Sequence, residues 1–453
     1  METGEKTCMI VGAGLAGSEA AWQLAERGVR VTLCEMKPEK HSPVHVSPGF
    51  AELVCSNSLR SDRLENAVGL LKEELRRLGS LVMEAADQTR VEAGGALAVD
   101  REGFSAYITE KIRNHPLIEV VPGEVEKIPS VRPLIIAAGP LASESLSRDI
   151  AEKFGGEGLH FYDAVAPIVT AESIDKDLSF AASRYGHGEA AYINCPLNEA
   201  EYRAFREALM TAEQAEVHGF DDDKVFEGCM PIEVMARRGE DTMRFGPMKP
   251  VGLVDPKTGE EPYACIQLRM DNAAGSLYNI VGFQTHLKFG EQKRVFSMIP
   301  ALHDADFVRY GVMHRNTFIE SPKLLDGDYM VKNDEGLYFA GQITGVEGYV
   351  ESTASGFYAA RRLAAKLTGE DFFLDNRSAI GALAAYVSDH RITHFQPMNV
   401  NYGIIAEYTR EEARADGIKR GNKALRNLKI AERSLKYIEE LGIRSEELSG
   451  FQP

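Results

Sequence analysis

The chain has 453 residues, of which 44% are hydrophobic and 26% charged, and its formal net charge is −17. That is enough chain for two or three domains around a sizeable core, with the composition of a globular protein in water. The acidic balance excludes a bulk electrostatic binder of nucleic acid, though not a local basic patch, and no apolar run reaches the roughly 18 residues that a membrane span needs.

The N-terminal "METGEKTCMIV" carries charge and then a short apolar run that predicts a first strand over residues 7–11 rather than a secretory signal. "GAGLAG" follows and sets Gly12, Gly14 and Gly17 in the pattern G-x-G-x-x-G. "SEAAWQLAERG" predicts a helix that stops at Gly28, and "VRVTLCE" predicts a second strand ending in Glu35. Together they form a complete βαβ unit for a dinucleotide. Gly12 permits the tight turn, Gly14 lets a pyrophosphate approach the backbone, and Gly17 lets helix and strand pack closely. Ala13, Leu15 and Ala16 complete the turn, and the helix N-terminus faces the phosphates. Glu35, 21 residues after Gly14, is placed to accept hydrogen bonds from a ribose.

Further along, "FAELVCSNSLRSD" (50–62) sets Cys55 where an apolar stretch gives way to small polar residues, with Arg60 close behind. "RPLIIAAGP" (132–140) predicts a strand ending at Gly139. "GLYFAGQITGVEGYVESTASGFYAARRLA" (336–364) predicts a strand, a glycine-rich turn and a helix. Both patterns are similar to flavoproteins of the glutathione-reductase type. That likeness implies FAD, with Gly341 and Gln342 near its ribityl chain and phosphates and Tyr349 near its ring. Gln342 stands where such flavoproteins usually have aspartate. There is no second G-x-G-x-x-G, so NAD(P)H is expected as a transient visitor without a domain of its own.

The expected fold class is α/β: a Rossmann-type, glutathione-reductase-like FAD domain split into 1–165 and 326–405, with an inserted α+β substrate domain over 166–325. The insertion holds the strand-like "AAYINCPL", "EPYACIQL" and "LYNIVGFQT" and the helical "NEAEYRAFREALMTAEQAEVHG". A helical tail covers 406–453, and between Arg410 and Lys436 it has nine Lys/Arg against four Asp/Glu.

Six cysteines lie far apart, with no C-x-x-C and no zinc spacing, which points to reduced thiols, a cytoplasmic protein and no structural metal. Cys8, Cys34, Cys195 and Cys265 sit within or beside apolar strands and read as small buried hydrophobes. Cys55 and Cys229 remain. Cys229 lies in "FEGCMPIE", where Glu227 and Glu233 disfavour a thiolate unless Arg237 or Arg238 opposes them.

Several strings occur together: "VGAGLAGSEAAWQLAERG", "FAELVCSNSLRSD", "GGALAVDREGFS", "FEGCMPIE", "FGPMKPVGL", "YGVMHRNTF" and "GQITGVEGYVES". From the N-terminus to about residue 405 the chain resembles the flavin- and folate-dependent bacterial tRNA (uracil-5-)-methyltransferases. The resemblance implies transfer of a one-carbon unit from 5,10-methylenetetrahydrofolate to C5 of uridine 54 in the tRNA T loop, with NAD(P)H supplying electrons through FAD. It implies tRNA, folate and NAD(P)H as partners, no membrane and no obligate protein partner. C5 of uracil is a poor nucleophile until a thiolate adds at C6. The resemblance gives that addition to Cys229 and places Cys55 by the flavin as a proton-transfer or protective thiol. His314 or Tyr349 is expected to cover a pterin and Arg315 to meet the folate carboxylate. Arg237, Arg238, Lys288, Lys293, Arg294 and the basic tail are candidate phosphate contacts, with the target uridine extruded. A related flavoprotein family that modifies wobble uridines shares "AGQI…G" but is usually longer. It and a non-catalytic flavin-containing RNA-binding protein are the alternatives.

Overall fold

A computed structural model describes residues 5–42, 44–155, 160–164, 166–186, 190–215, 230–311, 313–393, 395–418 and 422–449; over 160–164, 186, 313–317, 410 and 442–449 it describes the backbone alone. The expected βαβ unit is present as β1 (Thr7–Val11), α1 (Leu15–Ala25) and β2 (Arg30–Glu35), with Thr7 in parallel register opposite Arg30. β3 (Ser58–Ser61), α2 (Ala67–Arg77), α3 (Leu81–Gln88), β4 (Arg90–Val91), β5 (Ala96–Val99) and α4 (Arg101–Asn114) follow. The chain then rejoins the first sheet as β6 (Ile118–Pro122) and β7 (Leu134–Ile136), and α5 (Glu144–Phe154) comes next.

A long excursion then begins with β8 (His160–Ala164), β9 (Ile168–Thr170), β10 (Phe180–Ala181), β11 (Tyr192–Leu197) and α6 (Glu199–Thr211). It continues through α7 (Ile232–Arg238), α8 (Thr242–Phe245), β12 (Ala264–Met270), β13 (Leu277–Ile280), α9 (Phe289–Phe296), β14 (Phe307–Arg309), β15 (Met313–Thr317) and α10 (Ser321–Leu324). The chain returns to the first sheet at β16 (Leu337–Phe339), runs through α11 (Tyr349–Thr368) and α12 (Ala379–Ser388), and ends in α13 (Arg410–Ala415) and α14 (Lys423–Ser449).

The first sheet is parallel throughout, in the order β16-β7-β1-β2-β6. Parallel strands are buried on both faces, and Ile10, Val31, Leu33, Ile135 and Phe339 are fully buried. α1 and α11 approach closely because position 356 is glycine: a Cβ there would lie 2.2 Å from the Ala16 carbonyl oxygen. The excursion forms an antiparallel sheet, β10-β11-β12-β13-β9-β14, with a core of its own that includes Tyr202, Phe205, Ile266, Phe283 and Phe296. The expected strand over "LYNIVGFQT" stops at Ile280, because Gly282 (φ 78°) turns the chain against Pro247.

The two sheets are tied together by polar contacts. Arg101 pairs with Asp271, the Asn57 Nδ2 donates to the Met270 carbonyl at 2.9 Å, and the Ala273 N–H donates to Asp100 at 2.8 Å. The tail is docked on α2: Glu74 accepts from the Ser434 hydroxyl at 2.6 Å, and Ile430, Ala431 and Leu435 are buried beside it.

Candidate functional site

The glycine turn after β1 is built for close approach. Gly12 has φ 97°, and a Cβ there would lie 2.6 Å from the Ala137 carbonyl oxygen, just past β7. A Cβ on Gly17 would lie 1.8 Å from the Gly12 carbonyl oxygen, so helix and turn are in backbone contact. A Cβ on Gly14 would meet nothing within 4 Å, which leaves the face before the α1 N-terminus open. Leu15 and Ala16 are buried in the first turn of α1. Glu35 accepts the Ala13 N–H at 2.6 Å and the Lys37 N–H at 3.0 Å, so it braces the turn from the end of β2. Gly341 (φ 86°) follows β16, and its N–H donates to the Ser355 hydroxyl at 2.7 Å. Gly139 (φ 70°) follows β7 with open space where a Cβ would stand. The turns after β1, β7 and β16 therefore meet at the carboxyl edge of three adjacent strands, the place where open α/β sheets hold ligands. This cradle fits a dinucleotide.

Cys55 lies beside the start of α11. Its backbone N–H donates to the Tyr349 hydroxyl at 2.8 Å, and the Ser56 N–H donates to the same oxygen at 3.3 Å. Burial raises the Tyr349 phenol above its ordinary range, which keeps it neutral. Arg101 donates to the Leu53 carbonyl and forks onto Asp271 at 2.8 and 3.2 Å. Arg309 lies near Arg101, Cys55 and Tyr349, and burial, then the positive charge of Arg101, lowers its pKa. Arg269 donates to the Ser56 hydroxyl at 2.6 Å and to the Asn57 side-chain Oδ1 at 3.2 Å. The small polar residues after Cys55 thus form a wall that the antiparallel sheet completes.

Arg60, expected near the thiol, turns instead to Glu351, which is fully buried and also accepts the Val400 N–H at 2.9 Å. Arg60 has φ 62°, and the buried Lys72 holds that turn by donating to the carbonyls of Leu59, Arg60 and Ser61 at 3.0, 3.1 and 2.8 Å. Burial lowers the Lys72 pKa to about 8. Gln342 donates to both oxygens of Glu347 at 3.0 Å, so a neutral amide beside an acid occupies the turn after β16.

Cys229, with Phe226 and Glu227, lies outside the described residues. Glu233 is committed elsewhere: it accepts from the Thr285 hydroxyl and the His286 N–H, both at 2.8 Å. Arg237 and Arg238 are exposed at the end of α7. A cleft of about 580 Å³ there includes Met230, Met235, Arg238 and Phe245, and Phe245 is 83% exposed. His314 and Arg315 lie on β15 opposite Asp163 and Tyr162 of β8, and their side chains fall outside the description. Lys288 pairs with Glu213 at 2.7 Å and Arg294 with Glu291 at 2.6 Å, while Lys293 is exposed with no ion pair among the described residues. Cys8, Cys34, Cys195 and Cys265 are buried, and burial pushes the Cys265 thiol up to about 12.

The family model described as "Glucose inhibited division protein A" matches residues 7–371. The methylenetetrahydrofolate--tRNA-(uracil-5-)-methyltransferase TrmFO of Acetivibrio thermocellus is 58% identical over 433 residues, 95% of this chain and 97% of that protein. The chain belongs to the TrmFO family. Its relative of the same name in Heliobacterium modesticaldum is 60% identical over 399 residues, 88% of this chain and 91% of that one. Among solved structures, Aquifex aeolicus GidA superposes with a TM-score of 0.65 at 16% identity, over 99% of this chain and 80% of that chain, a likeness of fold. Sequence reasoning about this TrmFO-family chain missed Arg101, Asp271, Arg269 and Phe245. Only the string "DREGFS", an N-cap followed at once by arginine, offered any local signal, and Asp100 does cap α4.

Proposed function

We propose that the protein transfers a one-carbon unit from 5,10-methylenetetrahydrofolate to C5 of uridine 54 in the tRNA T loop, with FAD as cofactor and NAD(P)H as reductant, in the bacterial cytoplasm. Membership of the TrmFO family supports folate-dependent tRNA methylation. The structural observation that carries the reading is the seating of Cys55 against the Tyr349 hydroxyl, at the carboxyl edge that bears the dinucleotide cradle.

The Gly12–Gly17 turn, Glu35 and Gly341 would hold FAD across the edge of the sheet. When bound, it supplies the two electrons that bring a methylene to the methyl level. The chain's own groups do the rest. Cys229 adds to C6 of the extruded uracil, C5 becomes nucleophilic and takes the one-carbon unit, and the thiolate leaves when the C5 proton is removed. Cys55 takes that proton. Arg101 and Arg309 stand on the same side of the site as Cys55. Tyr349, kept neutral by burial, fixes the Cys55 backbone without competing for the proton. His314 and Arg315 serve the folate, and Phe245 with Arg238 offers an aromatic face and a cation to an unstacked T loop.

The decisive measurement is methyl transfer to unmodified T-loop RNA from labelled methylenetetrahydrofolate, against S-adenosylmethionine as donor. Label arriving at position 54 from folate alone supports the reading. Transfer from S-adenosylmethionine, or from neither, refutes it.

A further inference from the structure

A second cleft, of about 600 Å³, lies between the N-terminus of α2, the turn around Tyr402 and the first turns of α14. Its cations come from the tail. Lys423 and Arg426 are exposed, lie three residues apart on one face of α14, and form no ion pair among the described residues. This sets them apart from Lys288 and Arg294, whose charges local carboxylates already match. Arg60 also lines the cleft, but its charge is matched by Glu351. Glu65 is the acid at the rim, so the cleft keeps an excess of positive charge in a chain of net charge −17.

The floor adds backbone donors. α2 has no acid in its first turn, and its N-cap Asn66 makes no capping bond, because the Asn66 amide donates to the Ser61 hydroxyl at 2.9 Å. The N–H groups of Ala67 and Val68, both lining the cleft, find no acceptor among the described residues. Tyr402 donates its hydroxyl to the Leu64 carbonyl and leaves its ring half-buried along the same wall. Two free cations, open amide donors and an aromatic wall in one solvent-facing cleft match a phosphodiester with its attached nucleoside.

We propose that this cleft seats the sugar–phosphate backbone of the RNA substrate, with Lys423 and Arg426 neutralising the phosphates. The proposal rests on the tRNA reading above and adds where the backbone lies. Arg60 lines this cleft and clamps Glu351 in α11, the helix whose first residue holds Cys55. The cleft and the candidate catalytic cysteine therefore both rest on α11.

The test uses the FAD-loaded full chain and an unmodified tRNA transcript, with affinity measured over a salt series. Lys423→Gln/Arg426→Gln should weaken binding about tenfold at physiological salt. It should also flatten the slope of log K against log salt by about 1.8, close to 0.9 per lost phosphate contact. Arg426→Gln alone should give about half that change in slope, and the charge-keeping Lys423→Arg/Arg426→Lys should restore both values. Flavin content, melting temperature and flavin reduction by NADPH should not move. An unchanged salt slope with the wild type still binding tRNA overturns the cleft and leaves the proposed function standing. A raised KM for NADPH with tRNA affinity intact also overturns it, by assigning the cations to the dinucleotide phosphate. A wild type that binds no tRNA at any salt sinks both.

Discussion

Arg101→Met tests the joint on which the candidate site rests. Arg101 is 13% exposed and forks onto Asp271, which is 4% exposed, across the boundary between the two sheets. Removing one partner of a buried pair strands the other charge, at a cost of about 3–5 kcal/mol. Arg269 and Arg309 also feel the Asp271 charge, so the lower end, about 3 kcal/mol, is expected. Replacing both partners, Arg101→Met/Asp271→Leu, removes the stranded carboxylate. It should then cost only about 1–2 kcal/mol, mostly for the lost bond to the Leu53 carbonyl. The double variant should therefore be about 1–2 kcal/mol more stable than Arg101→Met alone, and well short of the summed cost of the two single variants. Urea unfolding reads it through the single tryptophan, Trp22, in α1 and through far-ultraviolet circular dichroism. Because Leu53 lies two residues before Cys55, Arg101→Met should also slow methyl transfer, by about a hundredfold if the thiol shifts by an ångström. A single variant costing under about 1 kcal/mol, or a double variant equal to the sum of the singles, would refute the reasoning.

Other outcomes follow from the same geometry. Gly17→Ala should abolish FAD retention, seen as loss of flavin absorbance in the purified protein, because its Cβ would lie 1.8 Å from the Gly12 carbonyl oxygen. Glu74 is buried beneath α14 and its pKa is raised by burial to about 7 from 4.5. The folded state therefore binds the proton more tightly than the unfolded one, and stability should fall as pH rises from about 4.5 to 7, by about 3 kcal/mol, then level off. Glu74→Gln should flatten that slope in pH-dependent melting, and a slope that survives in the variant assigns it to other groups. Cys229→Ala should reduce methyl transfer to background while FAD stays bound. Cys55→Ala should also stop turnover while leaving tRNA affinity within about twofold. Methyl transfer at near-normal rate in either variant removes the two-thiol mechanism.

The βαβ unit was legible because its information is local: a glycine spacing, two apolar runs and an acid at the end of the second strand. The strands over 134–136 and 337–339 were legible for the same reason. The burial of Cys8, Cys34, Cys195 and Cys265 followed from their apolar neighbours in the chain. The surroundings of Cys55 carried no such signal. Its backbone is held by a tyrosine 294 residues away, and the ion pair at its flank joins residues 170 apart. Arg60 shows the limit most plainly: five residues from Cys55 in the chain, it is committed to Glu351, because a buried carboxylate outcompetes a half-buried thiol for a guanidinium. By itself, then, the sequence determined the elements, the dinucleotide turn and the family strings, since backbone conformation and hydrophobic period are set by near neighbours. Which cations face which anions was decided only when β12 and α11 closed around the 53–61 segment, since desolvation and Coulomb forces act through space rather than along the chain.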